Sequence, residues 1–250
     1  MRWLIPLLFL AWPAWAQTIV LGLSQNEIAI TTSFDGSEIL VFGAVKREEP
    51  IPDGSELEVI ITVAGPAVPV MVRRKDKRLG IWVNTDAVEV DRAPSFYAVA
   101  TSGLLRDVLR DTEDLRYKIS VPRAIRSVGA PMSIQDATVF TDALIRIRSE
   151  AQQYQLLENQ VVVDEQTLFR ARIEMPAALT EGPHVTRIFL TRDGNVISTY
   201  ETTIDVRKVG LERWLFSLSR EQPMLYGLMS LAIAIMAGWA ASAAFSLLRN

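Results

Sequence analysis

MLYGLMSLAIAIMAGWAASAAFSLL, Met224 to Leu248, is a run of 25 residues without an Asp, Glu, Lys, Arg, His, Asn, Gln or Pro. A helix rises about 1.5 Å per residue, so this length more than crosses a hydrocarbon core of roughly 30 Å. In lipid a lone segment can satisfy all its backbone N–H and C=O groups only as a helix. Pro223 stands immediately before the run, where a proline at the first helical position costs little, and Arg249 closes the far end. The stretch predicts one C-terminal transmembrane helix over 224–248, and the rest of the chain must be placed relative to it.

At the other end, Met1 to Ala16 has the form of a secretory signal. One charge at Arg2 precedes the apolar run Trp3 to Trp12, and Ala14-Trp15-Ala16 supplies an A-x-A cleavage triplet. The alternative, an uncleaved N-terminal anchor, would leave the following residues on the same side of the membrane. Between the two segments, discounting Arg2 and Arg249 from the 26 cations against 29 acids leaves a charge of −5. Such an acidic body is a poor partner for nucleic acid. The chain has no cysteine, which excludes disulfides and thiol catalysis and leaves the fold to its core.

Residues 17–102 carry short apolar-rich runs at Ile19–Leu23, Glu27–Ser33, Glu38–Val45, Leu57–Ala64, Val68–Val72, Gly80–Val83 and Ser95–Ala100, separated by turn residues. This rhythm predicts an immunoglobulin-like β-sandwich module. Residues 103–158 form a helical middle segment: Leu104–Leu109 reads as a short helix. From Asp136, the positions Phe140, Leu144, Ile147, Ala151 and Tyr154 make an amphipathic stripe ending near Glu158-Asn159, with Arg146 and Arg148 on the polar side. Strands return over 159–209 as a C-terminal β-meander, with an Asp193-Gly194 hairpin turn. Residues 210–222 then predict a juxtamembrane amphipathic helix, lying at the membrane surface or packed on the body. The fold class is mainly β, and the spacing leaves open whether the two β regions share one core.

Several pieces of the C-terminal half occur together: Leu168-Phe169-Arg170-Ala171, Met175-Pro176-Ala177, Glu181-Gly182-Pro183-His184-Val185, Arg192-Asp193-Gly194, Arg207-Lys208-Val209-Gly210 and Leu225-Tyr226-Gly227-Leu228. In this order the chain resembles the uncharacterised alphaproteobacterial putative transmembrane protein family, most strongly from 140 to 230. One departure is His184, which stands where the family pattern has Tyr after the turn glycine, and it bears on packing alone. The resemblance implies a signal peptide, a periplasmic β-rich domain and one C-terminal span. It supplies no catalytic residues. It also implies company with sulfite-exporter-type permeases, hence another integral membrane protein, or the chain itself, as partner.

Searching for chemistry gives little. His184 is the only histidine, too few for an ordinary zinc site, and it has no nucleophile elbow to serve. Asp-Gly-Ser-Glu occurs at 35–38 and 53–56, but without the twelve-residue calcium loop both copies read as turns before strands. No cofactor is expected. The densest charge run, Arg73-Arg74-Lys75-Asp76-Lys77-Arg78, is a candidate patch for an anion or acidic partner, and otherwise a solvated loop between strands. In the span, Ser230, Ala234, Gly238, Ser242 and Ser246 recur at i+4, a small-residue face that lets two helices approach; small residues are also common in spans generally. These readings predict a non-enzymatic, single-pass inner-membrane protein that presents a periplasmic interaction module, with an accessory role to a transporter. A small-anion-binding module serving a permease is the alternative; an enzyme using carboxylates has no positive signal.

Overall fold

A computed structural model describes residues 18–24, 27–30, 36–46, 56–127, 137–208 and 211–248. The segment 1–16, Asp35 of the first Asp-Gly-Ser-Glu turn and the first three residues of the second lie outside these residues. In chain order the strands are β1 Thr18–Leu23, β2 Glu27–Ile30, β3 Ser37–Lys46, β4 Glu58–Ala64, β5 Ala67–Arg78, β6 Ile81–Pro94 and β7 Tyr97–Thr101. Four helices follow: α1 Leu105–Val108, α2 Asp111–Tyr117, α3 Val121–Ala124 and α4 Ala137–Glu150. Then come β8 Tyr154–Leu157, β9 Val162–Asp164, β10 Leu168–Met175, β11 Gly182–Arg192 and β12 Asn195–Lys208, and finally α5 Leu211–Glu221 and α6 Pro223–Leu248. The protein is mainly β, with one C-terminal apolar helix able by length and composition to cross a membrane.

Two sheets stack face to face. The first has the order β1-β3-β10-β9, the second β2-β12-β11-β4-β7-β8, and β5 and β6 pair only with each other. Both large sheets interleave strands from 17–102 with strands from 159–209, so the two β regions share one core. Ile39, Val41 and Ile173 from the first sheet meet Ile61, Ile188 and Val206 from the second. Strand composition follows position. In β10, Phe169, Ala171, Ile173 and Met175 point inward while Leu168, Arg170, Arg172 and Glu174 point to solvent, the period of two expected when one face is wet.

The second sheet is covered on both faces, and its central strands lack that alternation: Val59 to Val63 are all buried. Its outer face forms a second core in which Ile60, Tyr97, Val99 and Phe189 pack with Val108, Ile119 and Leu144 from the helical segment and Val90 from β6. Asp114 fixes this layer by accepting from the backbone N–H groups of Ile119 at 3.0 Å and Ser120 at 2.7 Å. The Tyr97 hydroxyl donates to the Ile119 carbonyl at 2.8 Å.

Three sequence expectations change. The amphipathic helix ends at Glu150, and Tyr154 begins β8, which pairs in parallel with β7. Within that helix Phe140 and Leu144 are buried, but Ile147 is 55% exposed. Arg148, placed by spacing on the polar side, turns back to donate to the Pro94 carbonyl and to the Tyr154 hydroxyl, the latter at 3.0 Å. The run 73–78 is not a loop: it forms the distal half of β5 in a long two-stranded ribbon, and β6 continues through residues 84–94, which no sequence pattern had marked.

Candidate interaction surfaces

The β5–β6 ribbon carries the basic run. Its base is packed, with Val88 and Val90 fully buried, whereas residues 73–82 are exposed. The turn is Leu79-Gly80, and both residues have positive φ, +50° and +85°, as the two-residue hairpin turns that match strand twist require. Beyond a bulge at Arg74/Lys75 the register opposes Lys75 to Asn84, Asp76 to Val83, Lys77 to Trp82 and Arg78 to Ile81. Arg74 is engaged, pairing with Asp86 at 2.5 Å and lying 5.6 Å from the Phe140 ring of α4. Arg78 reaches Asp76 only at 3.9 Å. Among the described residues, Arg73, Lys75 and Lys77 have no carboxylate partner. The candidate patch Arg73, Arg74, Lys75, Lys77 and Arg78 is therefore one continuous exposed feature. Sequence reasoning missed the apolar residues joined to it: Leu79, fully exposed, Ile81, and Trp82, 68% exposed. The signal was present in the X-Gly dipeptide flanked by two residue types that pair across a hairpin.

A second surface lies on the solvent face of the first sheet. Pairing aligns two rows across its four strands: Gly22, Phe42, Arg170 and Val162 in one, Val20, Ala44, Leu168 and Asp164 in the next. Val20, Phe42, Val162 and Leu168 are exposed, an apolar surface in which Arg170, paired with Asp164 at 3.9 Å, stands between Phe42 and Val162. Gly22 belongs to it by necessity, because a Cβ there would overlap the Phe42 ring. On the inner face Gly43 plays the same part for Phe169, whose ring covers it. A shallow hollow of about 420 Å³ runs along the outer patch. Three of the strands carrying it, β1, β3 and β10, were legible in the sequence; β9 was not marked as a run, and the patch needs the register of all four strands.

In α6, Ser230, Ala234, Gly238 and Ser242 are exposed, and a Cβ at Gly238 would meet nothing within 4 Å. The small-residue face is therefore open among the described residues; the side chain of Ser246 lies outside them. The Ser230 hydroxyl donates to the Gly227 carbonyl at 2.9 Å, which satisfies it within its own helix. The window Pro223–Ser242 has a mean hydropathy of 1.7 and none of it is buried.

His184 is fully buried near the start of β11. Its Nδ1 lies 3.1 Å from the Gly182 carbonyl, its Nε2 has no partner, and burial lowers its pKa from the ordinary 6.5. Among the described residues no group of three His, Asp or Glu side chains converges as a metal site would require. The hollow beside α1 and α2, about 390 Å³, is lined by Arg106 with Asp111, Asp114 and Glu158. Another of about 570 Å³ holds Glu38 and Glu174 and no cation. Neither lining suits an anion.

No curated protein and no solved structure matches the chain as a relative. The family model described as "Putative transmembrane protein (Alph_Pro_TM)" matches residues 18–246, which takes in both sheets, the helical layer, the ribbon and nearly all of α6. The order of elements read from 140 to 230, the apolar C-terminal helix and this match over most of the chain converge: the protein belongs to the Alph_Pro_TM family of putative transmembrane proteins.

Proposed function

We propose that the protein is a single-pass, non-enzymatic membrane protein whose body presents an interaction surface on the periplasmic side and whose C-terminus is cytoplasmic. The observation that carries this reading is the apolar outer face of the first sheet, with Val20, Phe42, Val162 and Leu168 exposed together. Monomeric proteins rarely expose contiguous apolar patches without a use, and a patch rimmed by polar residues marks an interaction site. The partner is another integral membrane protein, in keeping with an accessory role beside a permease of the sulfite-exporter type, or a second copy of the chain. The open small-residue face of α6 supports either, since helices associate in lipid by close packing at such faces.

The anion-binding alternative gains nothing from the hollow beside α1 and α2 or the one holding Glu38 and Glu174, whose charged linings are mainly acidic, and the ribbon cations stand exposed. A photo-crosslinking residue placed at Phe42 tests the proposal in intact membranes. Discrete adducts are expected there, and few at Glu201, an exposed position on β12. Adducts at both positions alike, or at neither, would remove the patch as an interaction surface.

A further inference from the structure

We propose that the tip of the β5–β6 ribbon is a finger that docks on an anionic lipid surface, a role separate from that of the sheet face. The run 73–78 holds five of the chain's 26 cations and one of its 29 acids, which leaves the remainder of the chain at −7. A concentration of positive charge on an acidic protein is a feature of this ribbon, not of the average surface.

The distribution of apolar groups at the apex favours a bilayer over a protein partner. Directly opposed residues in an antiparallel pair share a face, and successive pairs alternate faces. Ile81 therefore shares one face with Arg78, while Trp82 shares the other with Lys77, and Leu79 stands at the turn between them. Each face of the finger end thus carries one apolar side chain beside a directly opposed cation, with Leu79 at the tip. A protein groove would meet one face; a fluid apolar layer under a charged sheet meets all of them. From the turn back to Lys75 is about 13 Å at the usual strand rise. Leu79, Ile81 and Trp82 then enter the headgroup and acyl boundary, while the long side chains of Arg78 and Lys77, directly opposite Ile81 and Trp82, reach back to the phosphates and Lys75 lies behind them. Trp favours this boundary, and Lys and Arg are drawn to anionic lipid.

The turn adds an independent observation. Leu79 holds a φ of +50°, a region that Asn or Gly occupies at far lower cost than Leu. A large apolar side chain, fully exposed at a strained position, serves neither packing nor turn formation. The other described non-glycine residues with positive φ, such as Lys118, Asn159 and Asp193, are all polar, so Leu79 is set apart by its apolar side chain. The membrane family and the chain's own candidate span place a bilayer beside the body.

The full chain, held in phosphatidylcholine nanodiscs, is titrated with added vesicles of phosphatidylcholine or phosphatidylglycerol. The protein has no cysteine, so Asn84→Cys gives one site for a polarity-sensitive fluorophore, on the distal ribbon at a position neither cationic nor apolar. The expected result is a blue shift with phosphatidylglycerol vesicles that high salt reverses, and none with phosphatidylcholine. Lys75→Gln with Lys77→Gln is expected to weaken binding about thirtyfold, about fivefold for each cation. Leu79→Asn is expected to weaken binding while the thermal midpoint holds or rises, a combination that misfolding cannot produce. Absence of a shift with phosphatidylglycerol overturns the proposal. So does equal binding to both lipids with no effect of the lysine pair, and so does a response to added polyglutamate but not to vesicles, which would assign the finger to an acidic protein.

Discussion

At Arg148 a guanidinium on α4 donates to the Pro94 carbonyl and the Tyr154 hydroxyl and lies 5.3 Å from the Tyr154 ring. The Tyr154 hydroxyl also donates to Pro94, at 2.8 Å, so three groups tie the helix, β6 and β8 together. Hydrogen bonds to charged groups contribute about 1.5–3 kcal/mol, and the stem of Arg148 packs as well. Arg148→Ala is expected to cost about 1–3 kcal/mol in denaturant melts of the solubilised chain, while Arg146→Ala, on the exposed side, stays within about 0.5 kcal/mol. Equal losses would show that the network contributes nothing. His184 makes a second residue-scale prediction. Its folded pKa is depressed by burial, so below the ordinary 6.5 the unfolded chain binds more protons than the folded one. Stability is full above pH about 6.5, falls as the pH drops below that value, and levels off beneath the folded pKa. Melting midpoints measured from neutral pH down to the onset of carboxylate titration should show this decline in the native chain and lose it in His184→Asn. A flat profile in the native chain would contradict it.

At the scale of elements, legibility depended on how many faces an element buries. Strand β10, wet on one face, alternates in sequence as it does in space, and the Asp193-Gly194 turn appears as read, with φ of +51° and +77°. Strand β4, covered on both faces, reads as an apolar run and says nothing of which sheet it joins. The pairing of β3 with β10 and of β4 with β11 joins residues more than 100 positions apart, which no local pattern encodes. Hence the sequence left open whether the two β regions share a core, and the register joins them in one sandwich. The ribbon misled for a different reason: its outer residues are exposed, so charge hid a strand held by backbone pairing and the Arg74–Asp86 pair. The basic patch was visible as composition, but its apolar apex and the sheet patch needed register. Helix α4 gives the element-scale prediction. Leu144 is buried in the second core and Ile147 is not. Leu144→Ala is therefore expected to cost about 2–5 kcal/mol. Ile147→Ala should fall within about 0.5 kcal/mol. Comparable losses in the same melts would mean that the helix packs through another face.

For the whole molecule, the body and the span must be reconciled with a bilayer. Lys208, Arg213 and Arg220 lie on the N-terminal side of the span and only Arg249 on the other, an imbalance that opposes the positive-inside rule. Export directed by Met1 to Ala16 would override it, because a folded domain translocates largely regardless of flanking charge. In the proposed topology the span would then stop transfer and pack through its small face. Gly238→Leu keeps the span apolar and blocks close approach, so crosslinking to a partner should fall, whereas Ile233→Leu should leave it unchanged; a fall for both or for neither would make the span a plain tether. The orientation itself is read most directly by cysteine accessibility, since the chain has no native cysteine. Single-cysteine chains, Glu201→Cys in the body and Asn250→Cys at the C-terminus, are treated in intact cells with a thiol reagent that passes the outer but not the inner membrane. The account predicts labelling of Glu201→Cys without lysis and of Asn250→Cys only after the inner membrane is opened. The reverse pattern would contradict it.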